Sequence, residues 1–294
     1  MGTFAEHLIA LDAATGAERW RFRTGAKVRA SPTVVDGVVY VGADDDRFHA
    51  VDAATGRGRW SFDLGPGGQQ SSAAVVDGRV YFGAFDHAVY CLRADDGTKV
   101  WSAPTGDAIL SSPAVVDGVA VIGSLDGSVY ALDAATGRPR WTYATEAAVW
   151  SSPAIADGVV YVGSDDRGLH AVALADGARR WRYATGGKVF SSPTLVDGVA
   201  YVGSDDGHLH AVSQYDGSAL WQRDLGGRVL GSAAVVGDWL YVGSSDGNLY
   251  GLARADGAVR WTHAIGDKVW SSPTVTADGL YVGAHDGVIY ALSN

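Results

Sequence analysis

Apolar residues alternate with polar ones over short runs along the whole chain, and each run is cut by Asp-Gly or by a Ser/Asp/Gly cluster. Residues 188–221, KVFSSPTLVDGVAYVGSDDGHLHAVSQYDGSALW, carry the pattern in full. Val189 to Val196 is followed by Asp197-Gly198 and then by Val199 to Gly203, two β-branched, aromatic-rich runs around the dipeptide that best supports a type I′ hairpin. The turn cluster Ser204 to His208 leads into Leu209 to Val212, and Asp216-Gly217 leads into Ala219-Leu220-Trp221. The unit reads as four short strands, A to D, joined by tight turns. No segment carries a sustained helical period, so the expected class is all-β.

The unit is written seven times. Trp20, Trp60, Trp101, Trp141, Trp181, Trp221 and Trp261 follow one another at steps of 40, 41, 40, 40, 40 and 40 residues, the mark of a repeat architecture. A four-stranded meander of ~40 residues cannot bury both of its faces alone, so the copies must stack, and a closed ring leaves no terminal sheet exposed. The predicted fold is a seven-bladed β-propeller of four-stranded antiparallel blades. Gly2 aligns with the glycine that ends strand B in later copies, so the chain starts in mid-repeat. Residues 4–12 supply a strand C and residues 17–23 a strand D, six full copies follow, and a further A, B and C run to Asn294. The tally is seven A, seven B, seven D and eight C strands. The ring is expected to be closed by the N-terminal strand D joining the C-terminal blade. The surplus strand C at Leu8 to Leu11 would then add an outer strand or compete with Ile289 to Leu292, and an exposed outer strand is a route to dimers. The repeats run from end to end without a linker, so residues 1–294 are read as a single domain, monomeric or dimeric.

The strand D Trp and the strand C ring (His49, Tyr90, Tyr130, His170, His210, Tyr250, Tyr290) stand at one register in every copy. Large rings with one polar edge suit the seam between stacked sheets, and a residue needed in every repeat serves what all repeats share. The expectation is that these rings are buried between blades.

The run Leu-Asp-Ala-Ala-Thr-Gly-x-x-x-Trp at Leu11 to Trp20 and Leu132 to Trp141, with Ser-Ser-Pro and Tyr-Val-Gly in the following strands, resembles the tryptophan-docking repeat of the pyrroloquinoline quinone (PQQ)-like β-propellers. The resemblance covers essentially the whole chain and implies the scaffold rather than a chemistry. The family includes quinoprotein alcohol dehydrogenases, the outer-membrane β-barrel assembly lipoprotein and sensor domains of bacterial kinases. The dehydrogenases of that family are eight-bladed and carry a vicinal cysteine disulfide with a Glu/Asn/Asp calcium constellation. This sequence has one cysteine and seven repeats, so PQQ is not expected to bind tightly and no cofactor is expected.

A net charge of −10 argues against nucleic acid, whose phosphates call for a basic stripe. Much of the acidity is turn Asp, which bonds its own backbone. Cys91, the single cysteine, replaces a Gly or Ala of other copies in strand C and is expected to be small buried filling. No apolar run is long enough to span a bilayer, and the start MGTFAEHLIALD lacks the regions of a leader. A cytoplasmic location is expected for the chain as written, an exported one if a leader preceded it.

Function must sit at positions that vary while the frame stays fixed. Nine or ten residues after each Trp come Arg29, Gln70, Leu110, Trp150, Phe190, Leu230 and Trp270, and two after the strand B glycine come Asp44, Phe85, Leu125, Asp165, Asp205, Ser245 and His285. In an antiparallel meander the D-to-A and B-to-C connections emerge on one face, so both registers are expected to ring one mouth of the central channel. The result is a funnel that is apolar on one side and polar on the other. Arg29, Gln70, Phe85, Leu110, Leu125, Trp150, Phe190, Leu230, Trp270 and His285 are the candidate ligand-binding residues. Aromatic rings that merely plug the channel are the plainer alternative. The loop Gly65 to Gln70 carries one extra residue, and Glu146 stands where other copies have Gly. Asp45, Asp86, Asp126, Asp166, Asp206, Asp246 and Asp286 recur in the B-to-C turn but lack the ligand pattern of a calcium loop, and no Cys/His set has zinc spacing, so no metal is expected. No nucleophile elbow, HExxH or phosphate-binding loop occurs. Three readings stand: a propeller binding a small molecule or peptide at the mouth without redox chemistry; a cofactor-independent enzyme acting there on a hydrophobic small molecule, with Glu146, His87, His285 and Arg29 as candidate groups; and a scaffold or sensor that docks a protein on its rim.

Overall fold

The computed structural model describes residues 1–277 and 279–292; position 278 and the chain end at 293–294 lie outside the described residues. Among the described residues there are 29 strands and no helix. Two-residue turns join strands A and B, and in five of these turns both members have positive φ, from Asp36 (49°) and Gly37 (74°) to Asp197 (47°) and Gly198 (78°). That is the type I′ geometry that Asp-Gly predicts.

The chain divides into two compact units, Met1–Ala144 and Thr145–Asn294. The first holds a two-stranded sheet, His7–Leu11 with Glu18–Arg23, and three four-stranded sheets. The foremost of these runs Thr33–Val35, Val38–Ala43, Arg47–Asp52 and Gly58–Asp63 in simple meander order. The second unit holds three more such sheets, at 154–184, 194–224 and 234–264, and a three-stranded one of Thr274–Thr276, Gly279–Gly283 and Ile289–Leu292. The fold is the all-β, seven-bladed propeller class, with seven A, seven B, seven D and eight C strands. The surplus strand C pairs with the strand D beside it, from His7↔Arg23 to Leu11↔Glu18, forming the C–D hairpin seen in every complete blade. Gly2 bridges Leu8, and a Cβ there would collide with Val28, which is how strand B glycines meet the next blade elsewhere.

Three contacts recur between neighbouring blades and account for the motifs. The first is the Trp dock. Trp20, Trp60, Trp101, Trp181 and Trp221 donate Nε1–H to the carbonyls of Ala53, Ala94, Ala134, Gln214 and Arg254 at 2.9–3.1 Å, each in the C-to-D turn of the following blade. The glycine of that turn lies flat against the indole: a Cβ on Gly217, at φ +74°, would sit 2.6 Å from Trp181. These rings are not wholly buried, as the repeat had suggested. Trp101 and Trp141 are, but the other five keep one edge in solvent because strand D is the outer strand of its sheet.

The second contact is a knob in the hollow of the strand B glycine. Val189, Val229 and Val269, buried just before the candidate residues Phe190, Leu230 and Trp270, press on Gly163, Gly203 and Gly243, where a Cβ would meet valine Cγ1 at 2.3–2.5 Å. The third explains Ser-Ser. The first serine closes its own A–B hairpin, as when Ser191 Oγ accepts from Gly203 N at 2.7 Å and donates to Gly203 O at 3.0 Å. The second ties blades together, with Ser152, Ser192 and Ser232 N–H donating to Ser192, Ser232 and Ser272 Oγ at 2.9–3.0 Å. Cys91 is fully buried beside Tyr81 and Trp101, and burial pushes its thiol up to about 11, as befits inert filling.

Candidate functional site

The two variable registers meet in every repeat. A backbone bond from the B-to-C turn residue to the carbonyl two before the D-to-A residue joins Asp44 to Lys27, Phe85 to Gly68 and Leu125 to Ala108 in the first unit. In the second unit it joins Asp165 to Ala148, Asp205 to Lys188, Ser245 to Arg228 and His285 to Lys268, at 2.8–3.0 Å. One ladder therefore places both loop types on one face of each unit.

The turn aspartates have structural work. All seven accept from the strand C ring four residues on: His49 at 3.0 Å, Tyr130 at 2.6 Å, His170 at 3.0 Å, His210 at 3.1 Å and Tyr290 at 2.6 Å, with Tyr90 and Tyr250 making the same bond. The strand C ring is thus a hydrogen-bonded brace and not packing alone, a role that the Asp-x-x-x-Tyr/His spacing could have revealed. Asp126 and Asp206 also take the N–H of Gly106 and Gly186 at 2.7 Å. Burial lowers His170 and His210 below the usual imidazole range. His210 sits between Asp206 on Nε2 and the Tyr183 hydroxyl, 3.1 Å from Nδ1, so the neutral ring satisfies both neighbours. Among the described residues no three His, Cys, Asp or Glu side chains are disposed to hold a metal, and no helix is long and apolar enough to cross a membrane.

In the first unit the candidates are mostly tied down. Arg29 Nε lies 2.9 Å from Asp44, His87 is exposed with its ring 3.6 Å from Asp107, and Gln70, Phe85, Leu110 and Leu125 are half-buried. The extra residue in the Gly65 loop puts Gln69 at the buried knob position, where it donates to the carbonyls of Ser71 and Gly83 and leaves its Oε1 without a partner. Phe4, two after Gly2, belongs to the second register and was missed. It is 68% exposed, with Lys27 Nζ at 5.8 Å and the Arg29 guanidinium at 5.3 Å from its ring.

In the second unit the loop face is an apolar row edged by cations. Trp150 is 37% exposed and meets Phe190 edge-on at 5.7 Å. Lys188 and Arg228 lie 5.6 and 6.0 Å from the Phe190 ring, and Lys268 lies 5.4 Å from that of Trp270. Trp270 contacts His285 at 4.1 Å and donates Nε1–H to Ser245 Oγ at 2.9 Å. Leu230 is half-buried in the same register, and Glu146 is exposed, its N–H directed to Asp166 at 3.3 Å. The cations were missed; their signal is a Lys or Arg two before the D-to-A residue in three successive copies, ahead of Phe190, Leu230 and Trp270. A separate apolar cleft of about 730 Å³, between Trp239, Tyr241, Trp261, Val275 and Leu280, opens at the A-to-B turns, away from this face.

The family described as "Beta-alanine-activating enzyme, beta-propeller" matches residues 1–213, and that of the outer membrane protein assembly factor BamB matches residues 205–294. No curated protein matches the chain. Among solved structures, BamB from Moraxella catarrhalis is similar at a TM-score of 0.81 and 22% identity, covering 98% of this chain and 92% of that one. The computationally designed Ika8 protein reaches a TM-score of 0.89 at 17% identity, covering 100% and 92%. A europium-containing methanol dehydrogenase reaches 0.81 at 12%, covering 98% and 79%. At these identities the likeness is one of fold. The match over 1–213, with the docked Trp and its turn glycine in repeat after repeat, places the chain in the β-propeller family of the beta-alanine-activating enzyme, among the PQQ-like propellers.

Proposed function

We propose that this is a ligand-binding propeller whose working surface is the face of D-to-A and B-to-C loops, and that it acts without PQQ-dependent redox chemistry. The observation that carries the reading is the contact of solvent-facing Trp150 with half-buried Phe190 in the second unit, edged by Lys188 and Arg228. Indoles that serve the frame are docked on a turn carbonyl, whereas this one is solvent-facing and stands in a register that changes from copy to copy. An apolar floor with a few placed polar groups is the make-up of a small-molecule site. A lone, buried Cys91 cannot form the vicinal disulfide of the quinoprotein dehydrogenases.

Native mass spectrometry of the purified chain, beside a Trp150→Ala/Phe190→Ala variant of equal melting temperature, tests the reading. A small molecule retained by the parent and lost by the variant is expected. Identical spectra, or a stoichiometric protein partner retained by both, would contradict it.

A further inference from the structure

In the second unit three D-to-A loops carry a cation two residues before the variable position, Lys188, Arg228 and Lys268, and the first two meet an acid on the B-to-C turn of the preceding blade. Lys188 Nζ lies 2.7 Å from Asp165, and Arg228 makes two 2.8 Å bonds to Asp205. Lys268 is the next member of the series, but the residue in the aspartate's place is Ser245. Ser245 gives its hydroxyl proton to the Arg228 carbonyl at 2.9 Å and accepts from Trp270 Nε1 at 2.9 Å. It brings no charge. Lys268 is exposed, held by its cation–π contact with Trp270, and next to that ring stands the exposed imidazole of His285. Two of the three cations in the row are therefore neutralised inside the protein. The third makes no ion pair among the described residues: the carboxylate beside it, Asp267, is turned to the Lys268 backbone N–H at 2.7 Å, and Asp246 and Asp286 are engaged by Tyr250 and Tyr290.

We infer that Lys268, His285 and the Trp270 edge form an anion subsite at one end of the apolar row, and that the ligand is a small amphiphilic organic anion. Its carboxylate, sulfonate or phosphate takes the place left by the missing aspartate, and its apolar body lies toward Phe190 and Trp150. This rests on the reading of the face as a binding surface and adds the charge of the ligand. An exposed charge-assisted contact of this kind weakens as salt rises.

Two dyes with similar aromatic bodies separate the claims: 8-anilinonaphthalene-1-sulfonate, an anion, and N-phenyl-1-naphthylamine, its uncharged counterpart. Each is titrated by fluorescence against the parent chain, Lys268→Ala, Ser245→Asp and Phe190→Ala. Ser245→Asp rebuilds the acid of the two preceding blades and should fold as they do. The sulfonate should bind the parent saturably and lose at least about tenfold in affinity in Lys268→Ala and Ser245→Asp, while the uncharged dye changes less than about twofold. Phe190→Ala should weaken both. Sulfonate binding that depends on Phe190 but not on Lys268 or Ser245 overturns the anion subsite and leaves the binding face standing. Absence of saturable sulfonate binding to the parent overturns the subsite as well, and loss of both dyes' dependence on Phe190 overturns the face.

Discussion

The Trp dock is the residue-scale device on which each seam depends, and it is a two-part fit. The indole needs the carbonyl it donates to and a turn residue with neither a Cβ nor a steric bar to positive φ. Gly217→Ala fails on both counts, so it should cost at least about 2 kcal/mol, read as a lowered denaturation midpoint. Trp181→Ala leaves a cavity and an orphaned carbonyl and should cost about 3 kcal/mol, the lower end for a Trp because one edge of the ring is in solvent. The strand C histidines predict a pH dependence. With folded values below the unfolded one, the unfolded chain binds protons first as pH falls. Stability present above about pH 6.5 should drain away as pH drops through the lowered values of His170 and His210. Asp206 is shifted down too, so its contribution holds above its unfolded value and goes only as pH falls through its lowered one. His210→Tyr, which copies the ring of four other blades, should flatten the loss between pH 7 and pH 5 in thermal melts. An unchanged slope would show that His210 does not titrate in this window.

At the scale of the element, the strands and their turns were legible because each depends on neighbours in sequence: Asp-Gly needs only its own φ values to make a hairpin. What the sequence hid were contacts between elements. The knob over the strand B glycine lies one residue before the D-to-A candidate, as Val189, Val229 and Val269 do, and looks like any strand-forming valine until the next blade is in place. Gln69 is the exception that shows its importance. Its buried Oε1 has no partner, while in the next blade Ser111 Oγ donates to the Gly123 carbonyl at 2.8 Å without help. Gln69→Val should let Ser71 make that bond and raise stability by about 1 kcal/mol, seen as a higher midpoint in urea with an unchanged slope.

For the molecule as a whole, repetition made the fold easy to read and the site hard. Seven copies fix the frame, and whatever varies within them at two registers is a candidate; that logic singled out Trp150, Phe190, Trp270 and His285 as candidates. It passed over Lys188, Arg228 and Lys268, because a charged residue near a turn is ordinarily solvated, and over Phe4, because the first repeat is incomplete. It could not see that Ser245 breaks a series of ion pairs, since the series exists only between blades.

The central claim is that the loop-face aromatics of the second unit bind rather than brace. The most direct measurement sets melting temperature beside affinity for 8-anilinonaphthalene-1-sulfonate in Trp150→Ala, Phe190→Ala and Trp181→Ala. The account predicts that the first two melt within about 3 °C of the parent and bind the dye about tenfold more weakly, while Trp181→Ala melts well below it and, still folded at low temperature, binds normally. If Trp150→Ala and Phe190→Ala unfold as readily as Trp181→Ala and keep the parent's affinity, the aromatic row is a structural plug and the claim fails.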